Sequence, residues 1–182
     1  AIVFRPLHEA NGGFFWWGKP SATVYRQLWT KMQARAAADG VHNLLWAYSF
    51  NLHTSGVVDP GTLVPAKVDL AGLDSYDPEY AVADRADRFG LTGYSSVASK
   101  ANVPRMALTE VGPHGSRDGS WNPSVITRSV RAARLNPLWA MLWFDDGTPS
   151  AGSPYVGKKQ LGSLSGGRTW LAGCFNALCY LR

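Results

Sequence analysis

Two glutamates stand where a carboxyl group can act as a reagent. Glu9 follows the apolar run Ile2 to Phe4, and Glu110 ends the run Arg-Met-Ala-Leu-Thr-Glu-Val from Arg105 to Val111. A carboxyl at the end of an apolar strand is costly to hold unless it is paired, solvated or used. Cleavage of a glycosidic bond uses two such groups. A retaining reaction needs a nucleophile and an acid/base about 5–5.5 Å apart, and an inverting one spaces them more widely. The other reading open for these residues is structural, with each carboxylate paired to Arg5 or Arg105. Beside Glu9 lie His8 and a turn crowded with rings, Gly12-Gly13-Phe14-Phe15-Trp16-Trp17-Gly18. Flat apolar faces next to an acid suit a pyranose, which stacks on rings while its linking oxygen takes a proton.

The elements that must position these groups alternate. Ile2 to Phe4 reads as a buried strand. Ser21 is an N-cap candidate for a helix in which Tyr25, Leu28, Trp29 and Met32 recur at helical spacing, and Gly40 stops that helix. Asn43 to Phe50 predicts a second strand, residues 51–66 a loop rich in Gly and Pro, and Val68 to Tyr76 a third strand. Tyr80 to Ala101 reads as helical with a break near Gly90 to Gly93. Arg105 to Val111 is the fourth strand. Asn122-Pro123 opens another helix with Pro at its first position. Leu138 to Phe144 is the fifth strand, followed by Asp145-Asp146-Gly147.

Short apolar strands alternating with helices predict an α/β fold with a parallel sheet covered by helices. Glu9, Tyr76, Glu110 and Trp143 fall at strand C-termini, where a (β/α)8 barrel keeps its chemistry. Five strands in 182 residues do not close an eight-stranded ring. The expectation is therefore an incomplete barrel of about five βα units over residues 1–147, with 148–182 as a tail of undecided structure. An open doubly wound sheet is the alternative, but no Gly-rich nucleotide fingerprint follows any strand.

Composition narrows the classes. Hydrophobic residues make up 46% and charged residues 17%, which fits a globular chain and excludes a disordered one. Eight Trp, seven Tyr and seven Phe exceed what packing alone demands, so some rings are expected at a ligand surface. The formal charge of +5 comes from scattered basic residues. The one cluster, Arg128, Arg131 and Arg134, reads as the solvent stripe of a helix. No basic-aromatic nucleic-acid module is present, and no apolar run is long enough to span a bilayer. Cys174 and Cys179 show no metal-ligand spacing, and whether they are bonded stays open. No leader segment is read, and Ala1 opens directly on a strand pattern.

The segment His8-Glu9-Ala10-Asn11-Gly12-Gly13-Phe14-Phe15-Trp16-Trp17-Gly18 closely resembles the acid/base segment of glycoside hydrolase family 26, the β-mannanase family. Leu73-Asp74-Ser75-Tyr76-Asp77 is similar to that family's sixth-strand motif, and Leu108-Thr109-Glu110-Val111-Gly112 to its nucleophile segment on the seventh. Trp143 stands where the family's eighth-strand Trp lies. The motifs occur in family order over roughly residues 1–147. The first is specific, and the other three are weak singly.

The resemblance implies a retaining double displacement on β-mannan with Glu9 as acid/base and Glu110 as nucleophile, without metal or other cofactor. His8 would support the acid/base, Tyr76 would hydrogen-bond and orient Glu110, Asp74 would help position groups around Tyr76, and Trp143 would form the floor under the sugar. Phe14 takes a position where the family often has Trp, and Trp17 joins the substrate-binding rings. The acid role requires Glu9 to hold its proton, which aromatic surroundings and a charge on Glu110 favour. The implied substrate is a mannan, galactomannan or glucomannan, with mixed-linkage β-glucan or β-1,3-xylan as alternatives, and the implied location is secreted or cell-surface.

Some positions stay open. One of Trp16 and Trp17 packs into the fold, and Trp46 and Tyr48 face either cleft or core. His114, Asp145 and Asp146 are read as loop or capping residues near the cleft. The family's fourth strand is this chain's first. A fragment, a chain completed by a second polypeptide or copy, and a non-catalytic carbohydrate-binding remnant are all compatible with that start. Exposed strand edges would favour self-association.

Overall fold

Ser21 caps the first helix as its position predicts. Its hydroxyl accepts from the Val24 N–H at 3.3 Å, and helix α1 runs Ala22–Ala38 before Gly40 turns the chain at φ +76°. Such a cap contributes about 1 kcal/mol relative to alanine. The computed structural model describes residues 1–52, 56–77, 89–113, 118–145 and 157–173. Within these, five strands are β1 (Ile2–Phe4), β2 (Leu44–Asn51), β3 (Leu70–Asp77), β4 (Met106–Pro113) and β5 (Ala140–Leu142). Short helices α2 (Pro60–Leu63), α3 (Tyr94–Ala98), α4 (Ser124–Ala132) and α5 (Gly167–Ala172) lie between and after them, with a 3-10 turn at Leu161–Ser163. The strand order is β1-β2-β3-β4-β5.

The chain divides into two compact units, Ala1–Asp74 with Thr92–Ala107, and Ser75–Leu91 with Leu108–Arg182. In the first, β1 pairs parallel with β2 from Ile2 opposite Leu44, and β2 pairs parallel with β3 from Ala47 opposite Leu70 to Asn51 opposite Asp74. The Ala71 N–H donates to Arg105 O at 2.9 Å, at the approach to β4. Tyr25 and Trp29 of α1 bury against β2, with ring centroids 6.1 and 6.4 Å from Tyr48. Each buried polar tip finds a carbonyl: Trp29 Nε1–H donates to Lys67 O at 3.2 Å and the Tyr48 hydroxyl to Pro60 O at 2.8 Å. Burial, with the nearby Tyr25 and Asp59, pushes the Tyr48 hydroxyl well above its ordinary pKa, so it stays a neutral donor. Truncating an indole packed like Trp29 costs about 3–5 kcal/mol.

The second unit holds β4 from Leu108 onward, and the strand is buried along all eight residues, as expected of a central parallel strand. The Leu108 N–H donates to Trp139 O at 2.9 Å and the Trp143 N–H to Val111 O at 3.1 Å, holding β5 parallel to β4. Val125, Ile126 and Val130 of α4 are buried, while Arg128 and Arg131 are exposed on the helix as expected; Arg134, also exposed, lies beyond the helix end at φ +55° rather than on its stripe. The Trp170 indole N–H donates to Thr127 Oγ1 at 2.8 Å and ties α5 to α4.

Several elements differ from the sequence reading. The first strand is exposed: Ile2, Val3 and Phe4 are 56%, 45% and 39% accessible. An apolar run specifies a strand, but cover depends on neighbours, and among the described residues β1 pairs with β2. The loop expected at 51–66 contains α2, because Pro60 pre-sets the first helical φ and Asp59 Oδ1 accepts the Gly61 N–H at 2.9 Å. The helix expected from Tyr80 is described only from α3, which begins after Gly93 at φ +96°. Helix α4 starts one residue after Pro123, with Asn122 Oδ1 accepting the Ser124 N–H at 3.0 Å. The fifth strand keeps only three residues of the seven expected.

Candidate active site

The C-terminal end of β1 leads into a bend that strains its own backbone. Leu7 and Glu9 both adopt left-handed conformations, at φ +50° and +53°. Each costs about 1–2 kcal/mol for a residue with a side chain and persists only where surrounding bonds hold it. Those bonds are present. The Glu9 N–H donates to Ser49 O at 3.1 Å, the Gly12 N–H to Glu9 O at 2.9 Å, and the Tyr25 hydroxyl to Leu7 O at 3.3 Å. The result aims a 7% exposed carboxyl at the ends of β2 and β3.

There Glu9 Oε1 accepts from the Asn51 side-chain amide at 3.1 Å. Asn51 is fixed in turn by buried Asn11, which donates to Asn51 O and accepts the Asn51 N–H, both at 2.8 Å. Parallel register sets Asp74 opposite Asn51, and carboxylate oxygens of Glu9 and Asp74 lie within 4.8 Å of each other. Asp74 is fully buried and accepts from Arg5 Nη1 at 2.7 Å, and the same nitrogen donates to Ser49 Oγ at 3.1 Å. Arg5 thus supplies the charge that a buried Asp74 needs. Arg105, the other cation considered for ion pairing, donates to Pro104 O.

The rings after Glu9 form a stack of their own. Phe15 lies parallel to Trp17 at 4.5 Å, and His8 sits 4.7 Å from Phe15 and 5.8 Å from Trp17. Trp17 is the packed indole, its N–H donating to His8 O at 2.8 Å, whereas Trp16 is 84% exposed. Phe14 stands edge-on to Phe15 at 5.0 Å and is exposed. Trp46 and Tyr48 face α1: Tyr48 is wholly buried and Trp46 packs between Phe4 and Trp29.

In the second unit, the Tyr76 hydroxyl donates to Glu110 Oε2 at 2.8 Å. Glu110 is 5% exposed. A charged acceptor makes this one of the stronger kinds of hydrogen bond, and it sets the rotation of the carboxyl. The Tyr76 ring lies over the β4 backbone at Gly112, 3.5 Å from that residue's Cβ position. Trp143 follows β5, half-buried, with its ring 4.7 Å from Phe144.

Asp145 is a capping acid, as its place in a loop suggests. Its Oδ1 accepts the N–H groups of Lys159 and Gln160 at 2.7 and 2.9 Å, its Oδ2 accepts the Ser163 hydroxyl at 2.5 Å, and Lys158 Nζ lies 3.6 Å away. Burial opposes its charge, but the Ser163, Gln160 and Lys159 bonds and Lys158 together hold its carboxyl below the usual range. A depressed folded pKa adds stability above the unfolded value, about 3.9, and that stability is lost as pH falls through the lower folded value. Asp145→Asn is therefore expected to lower stability by about 1–2 kcal/mol at pH 7. Denaturant titrations repeated at falling pH check this: the gap from the parent chain should close below about pH 4.

Of the residues expected at the site, the first unit assembles His8, Glu9, Trp17 and Asp74, with Phe14 at the rim of the ring stack. The second unit joins Tyr76 to Glu110. His114, Asp146, Cys174 and Cys179 lie outside the described residues. Sequence reading missed Asn51 and Lys159. Asn51 was legible in principle as the polar residue ending a strand; Lys159 carried no such signal.

Comparison with known proteins accords with this architecture. A mannan endo-1,4-beta-mannosidase of Bacillus subtilis (strain 168) is 30% identical over 156 residues, which are 80% of this chain and 39% of that protein. A mannan endo-1,4-beta-mannosidase of Bifidobacterium adolescentis is 35% identical over 127 residues, 64% of this chain and 13% of that protein. Among solved structures, the Bacillus subtilis mannanase BCman superposes with a TM-score of 0.63 at 28% identity, covering 86% of this chain and 44% of that one. A GH26 beta-mannanase from Bacteroides ovatus gives a TM-score of 0.53 at 28% identity, over 76% of this chain and 41% of that one. The chain thus spans about two-fifths of the length of the Bacillus relative. The fold class is the expected one, α/β of (β/α)8 type with five strands among the described residues. The sequence profile of glycosyl hydrolase family 26 matches residues 1–151, more than half of the chain, and the chain belongs to that family.

Proposed function

We propose that this chain is part of an endo-acting β-1,4-mannan hydrolase working by retaining double displacement. The Tyr76–Glu110 hydrogen bond carries the reading. A tyrosine that binds one oxygen of a buried carboxylate directs the other, which is what a nucleophile attacking a single carbon requires. In the first step Glu110 attacks the anomeric carbon while Glu9 gives its proton to the departing glycosidic oxygen. The glycosyl ester formed on Glu110 is then cleaved by water, from which Glu9 removes a proton. Asn51 and the strained bend hold Glu9, and Arg5 neutralises Asp74 nearby. His8 and Trp17 support that bend from the ring stack, with Phe14 and Trp143 as sugar-stacking faces. The printed names of the relatives favour mannan over the related β-glucans and xylans. Because mannan is a polymer, the reaction would run outside the cell.

Release of reducing ends from β-mannan, with mannan binding measured in parallel, tests the proposal. Hydrolysis supports it, and binding without hydrolysis would make the chain a carbohydrate-binding module instead. The exposed apolar face of β1 favours one further arrangement, in which activity appears only once a second polypeptide or copy covers that edge. Activity gained on mixing with a polypeptide carrying the relatives' preceding strands would show it. Unchanged monomer mass by light scattering would count against self-association.

A further inference from the structure

Lys159 plays no part in the reaction as drawn, yet its side chain is 3% exposed. Lysine is almost never buried so deeply without a partner. Its Nζ stands 5.5 Å from the centroid of the Tyr76 ring, the ring whose hydroxyl bonds Glu110. Two features deliver it there. Asp145 Oδ1 grips the Lys159 and Gln160 N–H groups. Gly112 lies beside both neighbours: its Cβ position is 3.5 Å from the Tyr76 ring and 3.6 Å from Lys159 Cβ, ordinary contact distances that place the ring and the lysine stem against the same point of β4.

We propose that Lys159 is a positioning residue for Glu110 that acts through Tyr76. An ammonium over an aromatic face is attracted by the ring quadrupole, most strongly where water is excluded. Its field draws electron density from the phenol and makes the hydroxyl a stronger donor to the carboxylate. The cation therefore fixes both the ring and the hydrogen bond that aims Glu110. The consequence for turnover rests on Glu110 being the nucleophile; the Lys159–Tyr76 coupling does not.

The test uses the full chain with tyrosine labelled at Cζ by carbon-13, Tyr76 being assigned from the signal lost in Tyr76→Phe. Lys159→Met keeps the aliphatic stem and removes the charge, and Lys159→Arg keeps the charge. The Tyr76 resonance is expected to move in Lys159→Met and to return toward its original position in Lys159→Arg. No movement in Lys159→Met, or equal movement in both variants, overturns the proposal, because packing alone would not separate them. On mannan, Lys159→Met should lower kcat about tenfold with KM within about twofold, and Lys159→Arg should recover most of the loss. Unchanged kcat in Lys159→Met would also overturn it. If a mechanism-based label maps away from Glu110 while the Tyr76 resonance behaves as expected, the nucleophile reading fails and the coupling stands.

Discussion

Glu110→Ala is expected to lower mannan turnover by about 10⁴-fold or more, the scale seen when an enzyme loses its covalent nucleophile. A fluorinated mannoside that accumulates the glycosyl-enzyme should label the parent protein at Glu110 and leave the variant unlabelled. The substitution also strips the Tyr76 hydroxyl of its acceptor, and an unsatisfied buried donor costs about 1–3 kcal/mol. Glu110→Gln separates the two effects, since its amide oxygen still accepts from Tyr76 while it cannot form the ester. The glutamine variant should fold like the parent and be as inactive as the alanine variant. A small anion such as azide should partly restore turnover in Glu110→Ala by entering the vacated space and yielding the inverted product. An adduct mapped to any other carboxyl group would remove Glu110 from the role.

Glu9→Ala is expected to divide substrates by leaving group. Mannan and other substrates with poor leaving groups should lose about 10²–10⁴-fold in kcat/KM, the usual contribution of a general acid. Aryl mannosides whose phenol departs without protonation should keep most of their glycosylation rate, and ester hydrolysis should become limiting. Backbone strain does not confuse the result. Glu9 already holds φ +53°, and alanine meets the same Cβ penalty there as glutamate does. Equal losses for both substrate classes would mean that Glu9 is structural. Asn51→Ala provides a graded companion, because it leaves the carboxyl in place and removes only the bond that holds Oε1.

Much of the scaffold was legible because it is local. Ser21 caps α1, Tyr25 and Trp29 recur one turn apart and are buried, and Gly40 ends the helix in a conformation that only a residue without Cβ takes freely. The run Arg105 to Val111 announced a strand, and β4 is buried throughout. Local signals failed where burial depends on what arrives from elsewhere. β1 has the composition of a core strand yet is exposed among the described residues, and β5 shrinks to the few residues that Leu108 and Val111 can pair. Trp46 and Tyr48 alternate along one strand, and α1 decides how their rings pack.

The site divides along the same line. By itself the sequence determined which residues are candidates for the chemistry: the Glu9 segment, Tyr76, Glu110 and Trp143, because reagent types and turn residues are written in contiguous stretches. Only the tertiary structure decided how those residues are held. Asp74 meets Arg5 across 69 positions, Tyr76 meets Glu110 across 34, and Lys159 reaches the Tyr76 ring from a turn with no periodic pattern. Such pairings follow from strand register and from the packing of buried side chains. Neither is encoded in any short window of the chain, since each depends on segments far apart in sequence meeting in one place.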